Sequence, residues 1–211
     1  MKRMVLALTL TAFTLSGSAF AQNPTNTDNI GLYLTPGGYA DPGAEDGTGS
    51  CGAFGENEIF TVFVVLSELT YDEVWAWEIK ITPLNMLFMG DTVYGNHINA
   101  GTLDNEYIVG LADPLFAMDG AVVVAEILYS VNSYYNDISQ PSYGFLEGIE
   151  FSLLPSGAPA YLEVPGSTGV ELHLAIGDPI NPSIPQMIIN GDCNVVGTEE
   201  STWGGLKSLY R

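Results

Sequence analysis

The sequence predicts an all-β fold, an antiparallel β-sandwich of about nine strands with a short C-terminal helical or extended tail. Three observations carry that expectation. Short runs rich in Val, Ile, Phe, Tyr and Trp recur along the chain between clusters of Gly, Pro, Asn and Asp. Several runs alternate apolar with polar residues, the period of a half-buried strand. Helical periodicity is confined to the C-terminal end.

The elements follow in order. Residues 30–34 read as the first strand, and the Gly-, Asp- and Pro-rich stretch 35–57 as a long loop. Residues 58–66 are nearly continuously apolar, which predicts a central strand buried on both faces. Residues 74–82 alternate: Trp75, Trp77, Ile79 and Ile81 fall on one face, with Ala76, Glu78 and Lys80 on the other. Shorter strands are expected at 86–89 and 107–112, and a long one at 121–131. Residues 148–154 alternate through Ile149, Phe151 and Leu153, and strands at 160–164, 170–176 and 186–189 complete the set. Ser201 or Thr202 is placed to cap a short helix carrying Trp203, Leu206 and Tyr210 on one side.

The N-terminus places the protein. Lys2 and Arg3 precede an apolar run that ends in Ala19-Phe20-Ala21, the pattern of a secretory signal cleaved after Ala21. This divides the chain into a signal peptide (1–21), a sandwich domain (22–196) and a tail (197–211). The expected location is periplasmic, cell-surface or extracellular. Beyond the signal no apolar run approaches the ~20 residues of a membrane helix, so no transmembrane segment is expected after processing. The remaining bases are Lys80, Lys207 and Arg211, three against the chain's 25 Asp and Glu, a net charge of −22. Such a surface repels phosphate backbones and anionic lipid, so nucleic acid is not an expected partner.

Two cysteines, Cys51 and Cys193, in an oxidising compartment predict one disulfide closing most of the domain into a loop. Residues 60–66 (Phe-Thr-Val-Phe-Val-Val-Leu), 74–81 (Val-Trp-Ala-Trp-Glu-Ile-Lys-Ile), 83–90 (Pro-Leu-Asn-Met-Leu-Phe-Met-Gly) and 121–129 (Ala-Val-Val-Val-Ala-Glu-Ile-Leu-Tyr) together resemble the cohesin-like branch of immunoglobulin-like sandwiches. The resemblance covers about residues 58–131. It implies a jelly-roll-like sandwich that binds partner proteins or builds surface assemblies. No dockerin-type calcium loop, D-x-[DN]-x-[DN]-G, occurs in the chain.

Candidate sites are few. Asp41, Glu45 and Asp46, among glycines, offer oxygen ligands suited to calcium, although a solvated acidic loop is the favoured reading of the same residues. No cofactor is required by the reading, and calcium is the one ion the chain is equipped to hold. Tyr134, Tyr135 and Tyr143 lie around a polar loop with Asn132, Asn136 and Asp137, a composition suited to stacking on sugars or to a protein contact. Trp203, Lys207 and Arg211 make the tail a candidate docking peptide. His97 and His173 show no ligand spacing, and no G-x-S-x-G elbow is present. The function expected is a non-enzymatic binding or structural module that recognises protein at the cell surface or outside it. The alternatives are carbohydrate binding through the tyrosine loop and glycoside hydrolysis by a carboxylate pair, for which no two acids are marked out.

Overall fold

The computed structural model describes residues 27–41, 49–134, 136–150, 154, 157–178 and 180–193. The signal peptide, Glu45, Asp46, Tyr135, Phe151, Leu153 and the tail from residue 194 lie outside the described residues.

The first sheet is built on β1 (Asn29–Tyr33), β3 (Ile59–Ser67), β5 (Leu87–Val93), β8 (Val122–Ser130) and β12 (His173–Leu174), in the order β12-β1-β3-β8-β5. The second is built on β4 (Glu73–Leu84). One edge of β4 carries β7 (Glu106–Phe116), which in turn pairs with β6 (His97–Asn99). The other edge carries two neighbours in succession. β10 (Ala160–Leu162) pairs with residues 76–78 and leads to β11 (Val170–Glu171). β9 (Ser142–Glu147) pairs with residues 80–84 and leads to β13 (Met187–Ile189) and β2 (Cys51–Gly52). Pairing is antiparallel except for β1 with β12 and β13 with β2.

The two sheets close on one apolar core. β3 contributes Phe60, Val62, Val64 and Leu66; β8 contributes Val124, Ile127 and Tyr129; β4 contributes Val74, Trp77, Ile79 and Ile81. Trp77 stacks on Tyr107 with ring centroids 5.4 Å apart. Gly144 keeps β9 thin where the layers meet, since a Cβ there would approach Leu32 Cδ1 to 2.9 Å. The phenols of Tyr33, Tyr107, Tyr129 and Tyr161 are held well above the ordinary tyrosine range, in each case chiefly by burial. For Tyr107 and Tyr161 a hydrogen bond to a carboxylate, Asp91 and Asp28 respectively, adds to the effect.

Several expectations need correction. Trp75 does not share the core face with Trp77. The β4–β7 register shifts between Val74 and Ala76, so Val74 turns inward and Trp75 is left half-buried, its Nε1 donating to Glu73 Oε2 at 2.8 Å. Of the strand expected at 148–154, residues 148–150 lie outside any strand and 151–153 lie outside the described residues, while an unexpected strand forms at Ser142–Glu147. The single strand expected at 170–176 is two short pieces: β11 joins the second sheet through β10, while β12 joins the first through β1. The segment therefore passes from one layer to the other. The presumed loop 35–57 contains β2 and a 3-10 turn over Gly38–Ala40. β6 had no strand signal in the sequence.

Cys51 and Cys193 are bridged, with Cα atoms 5.8 Å apart and a sequence separation of 142. A closed loop of this length is worth up to ~5 kcal/mol in the chain-entropy model.

The register shift between β4 and β7 makes the two tryptophans unequal. Trp77→Ala is expected to destabilise by about 3–5 kcal/mol, the usual cost of emptying a buried aromatic site. Trp75→Ala is expected to cost well under half of that. Denaturant unfolding of both variants checks the difference; equal losses would place both rings in the core.

Candidate functional site

At one end of the sandwich, the start of β3, the end of β4, the start of β5, the end of β8 and the start of β9 converge. The loop between β8 and β9, residues 131–141, sits on this end and is fastened by asparagine side chains. Asn85, in the turn between β4 and β5, has φ 61° and reaches into the loop. Its Nδ2 donates to the carbonyls of Asp137 (2.8 Å), Gln140 (3.1 Å) and Pro141 (3.4 Å), and its Oδ1 accepts from the Asp137 N–H at 2.8 Å. Ser142 Oγ closes the contact by donating to the Asn85 carbonyl at 2.7 Å.

The other side of the loop is tied to the turn before β3. Asn57 (φ 63°) donates its N–H to the Val131 carbonyl at 2.8 Å, and its Oδ1 accepts from Asn132 Nδ2. Ser133 Oγ donates to Glu56. Within the loop, Asn132 Oδ1 accepts from the Tyr134 N–H at 2.8 Å, and Asn136 Oδ1 from the Asn132 N–H at 3.0 Å. Asp137 accepts from both the N–H and the hydroxyl of Ser139, and the hydroxyl bond first of all holds its carboxyl below the usual carboxylate range.

This frame presents apolar side chains to solvent. Tyr134 is 84% exposed and Ile138 49%, with Leu84 at 53% and Ile59 at 55% on the flanking strands. The loop's fixed backbone lets such groups bind without a large ordering cost.

The residues singled out from the sequence are thus spread over the molecule. Tyr134 stands on the loop, whereas Tyr143 lies in β9, half-buried, with its ring centroid 6.2 Å from that of Phe145. Tyr135 lies outside the described residues. Asp41 is exposed after the 3-10 turn, and its companions Glu45 and Asp46 lie outside the described residues. Trp203, Lys207 and Arg211 do as well. His97 is exposed in β6 and His173 sits at the sheet edge with Nδ1 3.2 Å from the Thr27 carbonyl oxygen. Among the described residues no group of three or more His, Cys, Asp or Glu is placed to hold a metal ion. No helix among them is long and apolar enough to cross a membrane.

Sequence reasoning missed Leu84, Asn85 and Ile138. Asn85 did carry a signal, since an isolated Asn between apolar runs is the residue most at ease in a left-handed turn.

No family model matches the chain, and no curated protein does. Among solved structures the chain is similar to cohesin modules of Acetivibrio cellulolyticus. One is the sixth cohesin of scaffoldin B, solved in complex with a mutant dockerin: TM-score 0.49, 10% identity, covering 79% of this chain and 100% of that one. Another is a type II cohesin domain from the cellulosome, with TM-score 0.43, 11% identity, and coverage of 78% and 96%. A third is the second type II cohesin module of an adaptor scaffoldin, with TM-score 0.42, 11% identity, and coverage of 80% and 99%.

Asn85→Ala removes three donor contacts and one acceptor from the loop at once. The expected outcome is a loss of about 1–2 kcal/mol in global stability. Amide exchange at residues 137–140 is expected to quicken by far more than that loss explains. Unchanged exchange there would show that the loop does not depend on this side chain.

Proposed function

We propose that this chain is an exported, non-enzymatic recognition module that binds a protein partner through the loop end of its sandwich. The observation that carries the reading is the exposure of Tyr134 and Ile138 on a backbone already fixed by Asn57, Asn85 and Asn132. One aromatic beside aliphatic side chains, rimmed by amides, is the composition of a protein hot spot. Export rests on the pattern of residues 1–21, which sets the expected meeting place at the cell surface or beyond it.

Carbohydrate binding is the second reading, favoured by the exposed Tyr134 ring beside the amides of Asn132 and Asn136. The two readings separate on Ile138. A sugar stacked on Tyr134 has little need of it, whereas a protein contact buries both. Binding to a panel of secreted proteins and to a glycan array is the measurement. Protein recognition predicts a protein ligand whose affinity falls about tenfold or more, ~1.4 kcal/mol, with either Tyr134→Ala or Ile138→Asp. Glycan signal lost with Tyr134→Ala but kept with Ile138→Asp would replace this reading with the carbohydrate one. Turnover on polysaccharides would replace both with hydrolysis.

Calcium, if used, belongs to Asp41, Glu45 and Asp46 rather than to the loop end. Specific binding raises the melting temperature of the folded chain in calcium over chelator at constant ionic strength. An unchanged melting temperature would leave these acids as a solvated loop.

A further inference from the structure

Away from the loop end, the outer face of the first sheet carries an apolar groove of about 280 Å³. It is lined by Pro36, Tyr39, Phe116, Met118, Ala121 and Val123, with Val65 and Val122 at its floor. None of these is charged, in a chain with 25 acids. Phe116 is 61% and Met118 78% exposed on the groove wall. Tyr39 also borders a second hollow that holds Glu68 and Asp119, both exposed. The groove is therefore apolar inside and acidic beside Tyr39.

We propose that the groove is the seat of this chain's own C-terminal segment, residues 203–211, with Trp203 and Leu206 in the groove and Lys207 and Arg211 beside Glu68 and Asp119. Three observations favour this occupant. Cys193 is the last described residue, and the apolar cluster that includes it and its partner Cys51 also includes Tyr39, Val65, Ala121 and Val123. Cys193 and the groove residues thus belong to one apolar cluster. The nine residues from 194 to 202 reach ~30 Å when extended. Trp203, Leu206 and Tyr210 recur at the spacing of one helical face, and the segment holds two of the three bases beyond residue 21. An apolar stripe with basic flanks fits an apolar groove with an acidic neighbour. A second copy packing its sandwich on this face would instead bring together two bodies that repel by charge.

The test uses the full chain with the photoreactive residue p-benzoylphenylalanine at position 203, irradiated at high dilution and mapped by mass spectrometry. Crosslinks within single chains to residues 116–123 or to Tyr39 are expected. The Phe116→Glu, Met118→Glu double variant alters two exposed side chains and is expected to cut their yield about tenfold while the melting temperature holds. A second variant, Lys207→Glu with Arg211→Glu, leaves the groove intact and is expected to lower the same yield by repulsion from Glu68 and Asp119. Crosslinks from a folded chain that fall elsewhere, form only between chains, or ignore both variants would overturn the proposal. Binding through Tyr134 and Ile138 is unaffected by either variant, so the two readings fail separately.

Discussion

The pairing of β3 with β8, and the packing of that pair against β4, is the contact on which the rest of the structure depends. Eight residue pairs join β3 to β8, and their inward side chains meet Trp77, Ile79 and Ile81 across the core. Each of these long strands carries a register shift, between Val64 and Val65 in β3–β8 and between Val74 and Ala76 in β4–β7. A bulge adds a residue to one strand and reverses the sense of everything after it. In the first sheet the added residue lies in β8, between Ala125 and Val123; it turns Val123 outward beside Val65, which the unbroken alternation of β3 already places there, and both join Tyr33, Tyr39 and Ala121 in a second apolar cluster. The Val123 side of the outer groove follows from that irregularity.

The turns are solved by one device used four times. Asn57, Asn85, Asn105 and Asn190 have φ of 63°, 61°, 64° and 58°. A left-handed residue costs most side chains about 1–2 kcal/mol, and asparagine less because its short amide bonds locally. Here each amide reaches beyond its own turn. Asn190 exchanges two hydrogen bonds with the backbone of Phe54, Asn105 accepts from the buried Tyr129 hydroxyl, and Asn57 and Asn85 grip the loop that bears Tyr134. Glycine would make these turns at least as readily but would leave the loop end unfastened. Stable turns and a preformed recognition surface therefore come from the same residues.

What was legible in the sequence was what local apolar patterning controls: the sandwich, the long strands at residues 58–66 and 121–131 from their apolar runs, and the core role of Trp77, Ile79 and Ile81 from alternation. The disulfide was legible from cysteine count and compartment alone. The misplacement of Trp75 has a specific cause, since a bulge is a property of two strands and a single strand's sequence carries only half of it. β2 and β6 are two and three residues long and exist through pairing with β13 and β7, so no local pattern announces them. β9 was hidden by Gly144, which reads as a breaker locally yet is required where Leu32 and Met187 crowd the strand. At the loop end the sequence showed the polar loop and its tyrosines. It did not show that Asn85, more than fifty residues away along the chain, holds the loop in place.

The shortage of bases shapes the surface as firmly as alternation shapes the core. Among the described residues one ion pair is formed, Lys80 with Glu147 at 3.4 Å, and both side chains are more than a third exposed. Pairs of that kind contribute ~0–1 kcal/mol, so stability rests on the core and the disulfide rather than on surface charge. The surplus of acids over bases then serves a different end. It repels other copies of the chain and anionic polymers, which leaves the uncharged surfaces as the places where contact is cheapest. Two such surfaces stand out, the loop end with Tyr134 and Ile138 and the groove between Tyr39 and Met118. They differ in what lies beside them. The loop end is rimmed by amides, which accept partners of either charge, whereas the groove has Glu68 and Asp119 close by and favours a segment carrying bases. A chain with one lysine in its body and two bases near Trp203 carries in that segment the electrostatic complement the proposed seating calls for.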